Sequence, residues 1–158
     1  MTANRKTVSV VAAAQVGADL VDKAGAWGRE HAALIARTGK PLDAPSIELA
    51  CRVGVSQPEN VRVSIVDSMP IPDDPELREF ALTMGFLNPN IVGLTLGHGI
   101  YVRDGYATPQ VLSHELRHVA QCEKAGSIER FIAEYFRQIA EFGYRDAPFE
   151  QDARASEE

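Results

Sequence analysis

Cysteine is scarce in this chain: Cys51 and Cys122 are the two among 158 residues. That is too few for a disulfide framework and reads as a reduced thiol pair, with one bridge at most. No apolar run approaches the roughly twenty residues needed to cross a bilayer, which excludes a membrane span. Positive charge is also thin, since 16 Lys and Arg face 22 Asp and Glu for a formal net charge of -6, and the basic residues form no cluster. A nucleic-acid groove or an anionic membrane surface needs a dense positive patch to displace counterions, so neither is expected as a partner. Small molecules or polypeptides remain. Internal repeats and low-complexity tracts are missing as well.

What is present is an ordinary globular composition, with an apolar fraction of 45% and a charged fraction of 24%. Folding a chain of this length buries roughly 70% of the unfolded surface, so a single core forms without a metal or a bridge to hold it. Residues 1–18 read as a loose N-terminal segment ahead of one domain over 19–158. Arg5 and Lys6 before a short apolar run imitate an export signal, but Gln15 and the brevity of the run argue against one. The expected location is the cytoplasm.

Leu20, Ala24, Trp27, His31, Leu34 and Ile35 recur at helical spacing and predict a helix over 19–38, stopped near Gly39 and Pro41. His31 lies on that apolar stripe and is expected to be half-buried and hydrogen-bonded rather than a ligand. A shorter helix is expected from Ser46, as N-cap, to Gly54. The period then changes to two: Val61, Val63 and Ile65 alternate with Arg62 and Ser64, a half-buried strand. Asp74 and Pro75 open another helix, closed at Gly85. In "IVGLTLGHGIYVRDGY" the alternation resumes, punctuated by Gly97 and Gly99, as a hairpin or one bulged strand. The rest is helical: one helix from Thr108 and Pro109 to Gly126, a second from Ser127 to Gly143, and a short one from Pro148. Helices, a small sheet and then helices make an α+β fold.

The first of those late helices contains "SHELRH". Residues four apart on a helix lie one above the other, so His114 and His118 can direct both imidazoles at one point. That geometry suits a zinc ion, with nitrogen ligands about 2.0 Å from the metal. Glu115 projects beside them, within reach of a water on the ion. A third protein ligand is required, and no histidine follows His118. Cys122 lies about 12 Å along the axis from His114, too far to share an ion on a straight helix, and is expected to pack behind the site. Glu134 and Glu141 face away from the apolar stripe of their helix. Glu150, in the first turn of the Pro148 helix, is the leading candidate, with Ala153 small enough for close approach. Asp146 and Asp152 are the alternatives.

"HELRH", a helix, and then "FEQDA" together resemble the gluzincin group of zinc metallopeptidases, in which H-E-x-x-H is completed by a downstream glutamate. The likeness spans roughly residues 90 to 155 and implies a minimal, single-domain member. It implies a zincin-like fold, a small and mostly antiparallel sheet packed on helices that include the H-E-x-x-H helix. The metzincin extension does not fit, because Gln121 and Lys124 stand where it has glycine and histidine. The surroundings of Cys51 do not match peptide deformylase. Many gluzincins also carry an aspartate four residues after the glutamate ligand to orient a histidine; here that position is Arg154, so another acceptor is required.

Three protein ligands leave a fourth position for water, the arrangement of a catalytic zinc. The metal polarises a carbonyl and makes water nucleophilic near neutral pH, and Glu115 serves as the base. Tyr144 and His98 are the candidate donors to the anionic intermediate. The strand around residues 93 to 102 offers an edge for an extended peptide or protein substrate. The rival reading is a non-catalytic or latent zinc-binding module with a regulatory or interaction role.

Overall fold

The computed structural model describes residues 17–158, so the expectations for the N-terminal segment fall almost wholly outside the described residues. Along the chain run α1 (Ala18–Thr38), β1 (Lys40–Pro41), α2 (Ala44–Arg52), a 3-10 turn (Pro58–Asn60), β2 (Arg62–Val66), α3 (Pro75–Met84), β3 (Gly93–Leu96), β4 (Gly99–Arg103), α4 (Pro109–Ala125), α5 (Ile128–Phe142) and α6 (Pro148–Ala155). The described residues thus form an α+β structure of six α-helices and one four-stranded sheet.

Local chemistry sets the helix ends. Asp74, Thr108 and Ser127 each accept a backbone N–H in the first turn of α3, α4 and α5, satisfying donors that have no partner inside the helix. Gly85 and Gly126 close α3 and α4 at positive φ, where a side chain would be strained. One cap differs from expectation. α2 starts at Ala44 because Asp43 is its N-cap and takes the N–H of Ser46 at 2.9 Å, with Pro45 favouring the first turn. Ser46 is therefore inside the helix.

The sheet order is β1-β2-β4-β3. β3 and β4 form the expected antiparallel hairpin, turning at Gly97 with φ +65°, and β1 adds a two-residue antiparallel edge to β2. The central pair β2 and β4 is parallel, Arg62 facing Gly99 through Val66 facing Arg103, so the sheet is mixed. α3 and β3 lie between these two strands in sequence, and so long a connection is what a parallel pair requires.

β4 carries the core on both faces. Ile100 and Val102, fully buried, share a cluster with Leu49 of α2, Val53 just after it, and Leu116 and Val119 of α4. Tyr101 points the other way, toward Ile35 of α1, and its hydroxyl meets Nδ1 of His31 at 2.7 Å. His31 is thus the half-buried, hydrogen-bonded histidine its position suggests. A third apolar cluster joins α1, α3 and α5 through Leu20, Leu77, Phe131 and Phe136. These clusters fix α4 against the sheet with α5 and α6 across its opposite flank.

Candidate metal centre

α4 places His114 and His118 one turn apart with ring centroids 4.9 Å from each other at 77°. α6 brings Glu150 to them. Ala153, fully buried one turn further, adds no bulk at the helix contact. Nε2 of His114 is 3.1 Å from Oε2 of Glu150, and Nε2 of His118 is 3.2 Å from Oε1. One ligand atom from each residue lies within 4.8 Å of the others. Two ligands at about 2.0–2.1 Å from a tetrahedral ion stand about 3.3 Å apart, so the spacing fits a shared metal.

The other ring nitrogens sharpen the fit. Nδ1 of His118 faces Oε1 of Gln121 at 2.7 Å. The amide nitrogen of Gln121 donates to the Phe149 carbonyl at 3.0 Å and to Asp152 at 2.8 Å, which fixes its oxygen toward the imidazole. An amide oxygen only accepts, so His118 carries hydrogen on Nδ1. Nδ1 of His114 meets Oε1 of Glu157 at 2.9 Å, and an ionised carboxylate also only accepts. Both rings therefore turn Nε2 toward the Glu150 carboxylate. Two nitrogen lone pairs and a carboxylate at such distances repel unless positive charge lies between them, carried either by protons or by a metal ion.

The titration of these groups expresses the same demand. Burial disfavours the imidazolium of His114, but the Glu150 hydrogen bond and the charges of Glu115 and Glu150 outweigh it and raise the pKa to about 9. His118 is fully enclosed and is raised in spite of that burial, again by Glu150 and Glu115. Burial pushes Glu150 upward, yet its bonds to both imidazoles and to Tyr135 leave it below the usual carboxylate range. The site holds a carboxylate anion and draws cations.

Glu115 is buried next to this group without joining it. Its Oε2 accepts the Thr95 hydroxyl at 2.7 Å, and its carboxylate lies against the backbone of Gly93, where a Cβ would stand 2.5 Å from Oε1. The close approach that glycine permits here is to the Glu115 side chain. Glu115, Tyr144, Glu150 and both histidines line one cavity of about 90 Å³, which Trp27, Leu77, Phe86 and Leu94 also line. Tyr144 is half-buried in its wall, and burial together with the charges of Glu150 and Glu115 raises its pKa, so it remains a neutral donor.

The structure does not bring His98 to this cavity. Its Nε2 meets Glu123 at 3.0 Å, and Glu123 also accepts the backbone N–H groups of Ser56 and Gln57. This cluster lines a separate cleft of about 620 Å³ with Arg62. The glycine-flanked bend that carries this candidate donor points toward the C-terminal half of α4 instead. Asp152 is committed to Arg117 and Gln121, and Asp146 is exposed, which leaves Glu150 as the acid beside the histidines. Cys122 is buried with Phe131 and Phe136, its thiol pushed up to about 12 by burial. Glu134 and Glu141 both pair with Arg137 at the surface of α5.

Some contacts were invisible in the sequence. Tyr135, one member of the α5 apolar stripe, donates its hydroxyl to Oε1 of Glu150 at 2.7 Å. Gln121 and Glu157 hold the two imidazoles from behind. Ser113, next to His114 on α4, is fully buried and donates back to Pro109 O at 2.7 Å. Among the described residues, His114, His118 and Glu150 are the group of three able to hold a metal ion. No helix there is long and apolar enough to cross a membrane. Comparison with protein families, with curated proteins and with solved structures gives no match.

Proposed function

We propose that the protein is a zinc metallopeptidase of gluzincin type, reduced to one zincin-like domain. A single observation carries the reading: two imidazole nitrogens and one carboxylate converge with their outer nitrogens already committed, and an unliganded glutamate is buried in the same cavity. His114, His118 and Glu150 would hold the ion. Bound there, zinc supplies a Lewis acid that polarises a carbonyl and brings the pKa of water near 7.

The chain's own residues supply the rest. Glu115 accepts the proton of the attacking water and delivers it to the departing amine, restoring itself at the end of the cycle. Thr95 and the clearance at Gly93 hold its carboxylate in one place while it does so. Tyr144, kept neutral, donates to the oxygen on which negative charge develops. β3 is the outer strand of the sheet and leads past Gly93, so an extended peptide pairing along it lies beside Glu115.

One observation favours the second reading, a latent or non-catalytic zinc module. The cavity of about 90 Å³ is far below the roughly 300–1,000 Å³ of ordinary ligand pockets, and most of its lining is apolar. Digestion of a denatured protein by the zinc-loaded chain, read by mass spectrometry, separates the readings. The peptidase reading predicts new termini that disappear with Glu115→Gln while zinc content stays the same. Uncleaved substrate, or cleavage unaffected by Glu115→Gln, contradicts it.

A further inference from the structure

After α6 the chain turns back across the start of α4. Oε1 of Glu157 takes Nδ1 of His114 at 2.9 Å, and its Oε2 takes the side-chain amide of Gln110 at 2.9 Å. The next residue is anchored as well: Glu158 donates its backbone N–H to Oγ of the buried Ser113 at 3.0 Å. Its carboxylate receives Arg52 of α2, with Nη2 at 3.0 Å. Gln110, Ser113 and His114 share one face of α4, so residues 157 and 158 are seated along the ridge that presents the first histidine.

The seat matters because of what an imidazole needs in order to bind a metal well. A histidine ring offers two nitrogens, and rotation about its last torsion exchanges them. A carboxylate on Nδ1 fixes the ring so that Nε2 faces the ion, and it increases the electron density Nε2 donates. Gln121 does the first of these for His118, but as a neutral amide it contributes less to the second. The α4 face offers His114 no such partner of its own. Glu157 supplies it from seven residues beyond Glu150, in the next turn of chain after the helix that carries the ligand.

We infer that Glu157 is a positioning residue of the metal centre, acting through His114 and delivered by the docking of residues 157 and 158 on α4. The inference rests on the metal-site reading above. It places part of the control of metal retention outside the ligand set and outside the H-E-x-x-H helix.

The test uses the full chain and zinc alone, with the dissociation constant measured by competition with a chromophoric chelator. The wild-type protein binds one zinc. Glu157→Ala still binds one but about 10–100-fold more weakly, the usual cost of losing such a partner. Glu157→Gln falls between, because its amide oxygen keeps the hydrogen bond and loses the charge. Arg52→Ala removes only the exposed ion pair from α2 and leaves Glu158 held on α4 by Ser113, so the seat of Glu157 persists and the constant stays within about twofold. Nitrogen-15 shifts of His114 in the loaded protein show hydrogen on Nδ1 and metal on Nε2 in wild type, with a mixed population in Glu157→Ala. Wild-type affinity in Glu157→Ala overturns the inference and leaves the metal site standing. An equal loss in Arg52→Ala overturns it in favour of a general packing effect. A wild-type chain that binds no zinc overturns both it and the reading beneath it.

Discussion

Gly93 and Glu115 share a space that only glycine leaves open: a Cβ at position 93 would stand 2.5 Å from Oε1 and 2.7 Å from Cδ of the buried carboxylate. The edge strand and the Glu115 carboxylate are therefore built as one unit. Gly93→Ala must displace the carboxylate from Thr95. Zinc content is expected to hold, while turnover falls by roughly 10²-fold or more, the range of a misplaced general base. The crowding also destabilises the fold by about 1–3 kcal/mol. Kinetics and metal analysis on the same preparation check this; unchanged turnover contradicts the proposed role of Glu115.

Tyr135 and Glu150 make a second pair that can be cut cleanly. Tyr135→Phe keeps the ring in its packed position and removes the donor from a buried carboxylate. Hydrogen bonds to charged groups contribute about 1.5–3 kcal/mol, and stability should fall by that order in chemical denaturation. Zinc affinity should drop about tenfold or more, since the ligand loses a partner that orients it. A variant as stable and as tight as wild type would show that the phenol is filler.

The pH dependence of the metal-free fold differs from that of the zinc increment. His114 titrates near 9 in place of 6.5 and His118 is also raised, through Glu150 and Glu115 and against burial. A raised histidine stabilises the metal-free fold fully below about 6.5 and loses that contribution as pH climbs toward 9. Glu150 is lowered from 4.5, so its contribution is present above that value and vanishes as pH falls. The metal-free Tm is therefore expected to be highest between about 4.5 and 6.5 and to decline toward 9. Zinc competes with protons for the same nitrogens, so the increment in Tm on adding zinc should grow over that interval. Thermal melts with and without zinc from pH 5 to 9 check this, and parallel curves contradict it.

Tyr144 and His98 entered the sequence reading as equals and part company in space. Tyr144 lines the cavity with Glu115 and Glu150, whereas His98 is paired with Glu123 in another cleft. Tyr144→Phe should reduce kcat by about 10²-fold with zinc unchanged, if its hydroxyl meets the oxyanion. His98→Ala should leave turnover within about twofold, as expected of a residue outside the machinery. The reverse ordering would relocate the active centre.

How much of this was readable beforehand depended on the kind of signal. Caps and stops are local chemistry, so Asp74, Thr108, Pro109, Ser127 and Gly126 marked helix ends correctly, and the i, i+4 spacing on α4 brought His114 and His118 together. Glu150 followed from helix order and the small Ala153. The parallel pairing of β2 with β4 did not, because strand alternation carries no direction. Tyr135 was hidden for a related reason: a tyrosine in an apolar stripe looks the same whether its hydroxyl finds solvent or a ligand. Gln121 is a polar residue inside α4 and Glu157 follows α6, and nothing in their spacing says which side chain they will face. His98 misled because a glycine-flanked bend has no intrinsic direction until the hairpin is packed on α4.

The central claim is that His114, His118 and Glu150 hold one ion together. X-ray absorption at the zinc edge of the loaded protein tests it most directly. The account predicts one zinc per chain with nitrogen and oxygen neighbours at about 2.0–2.2 Å, outer-shell scattering from two imidazoles, and loss of that signal in His118→Ala. A spectrum with sulfur near 2.3 Å, with no imidazole scattering, or unchanged in His118→Ala would contradict it.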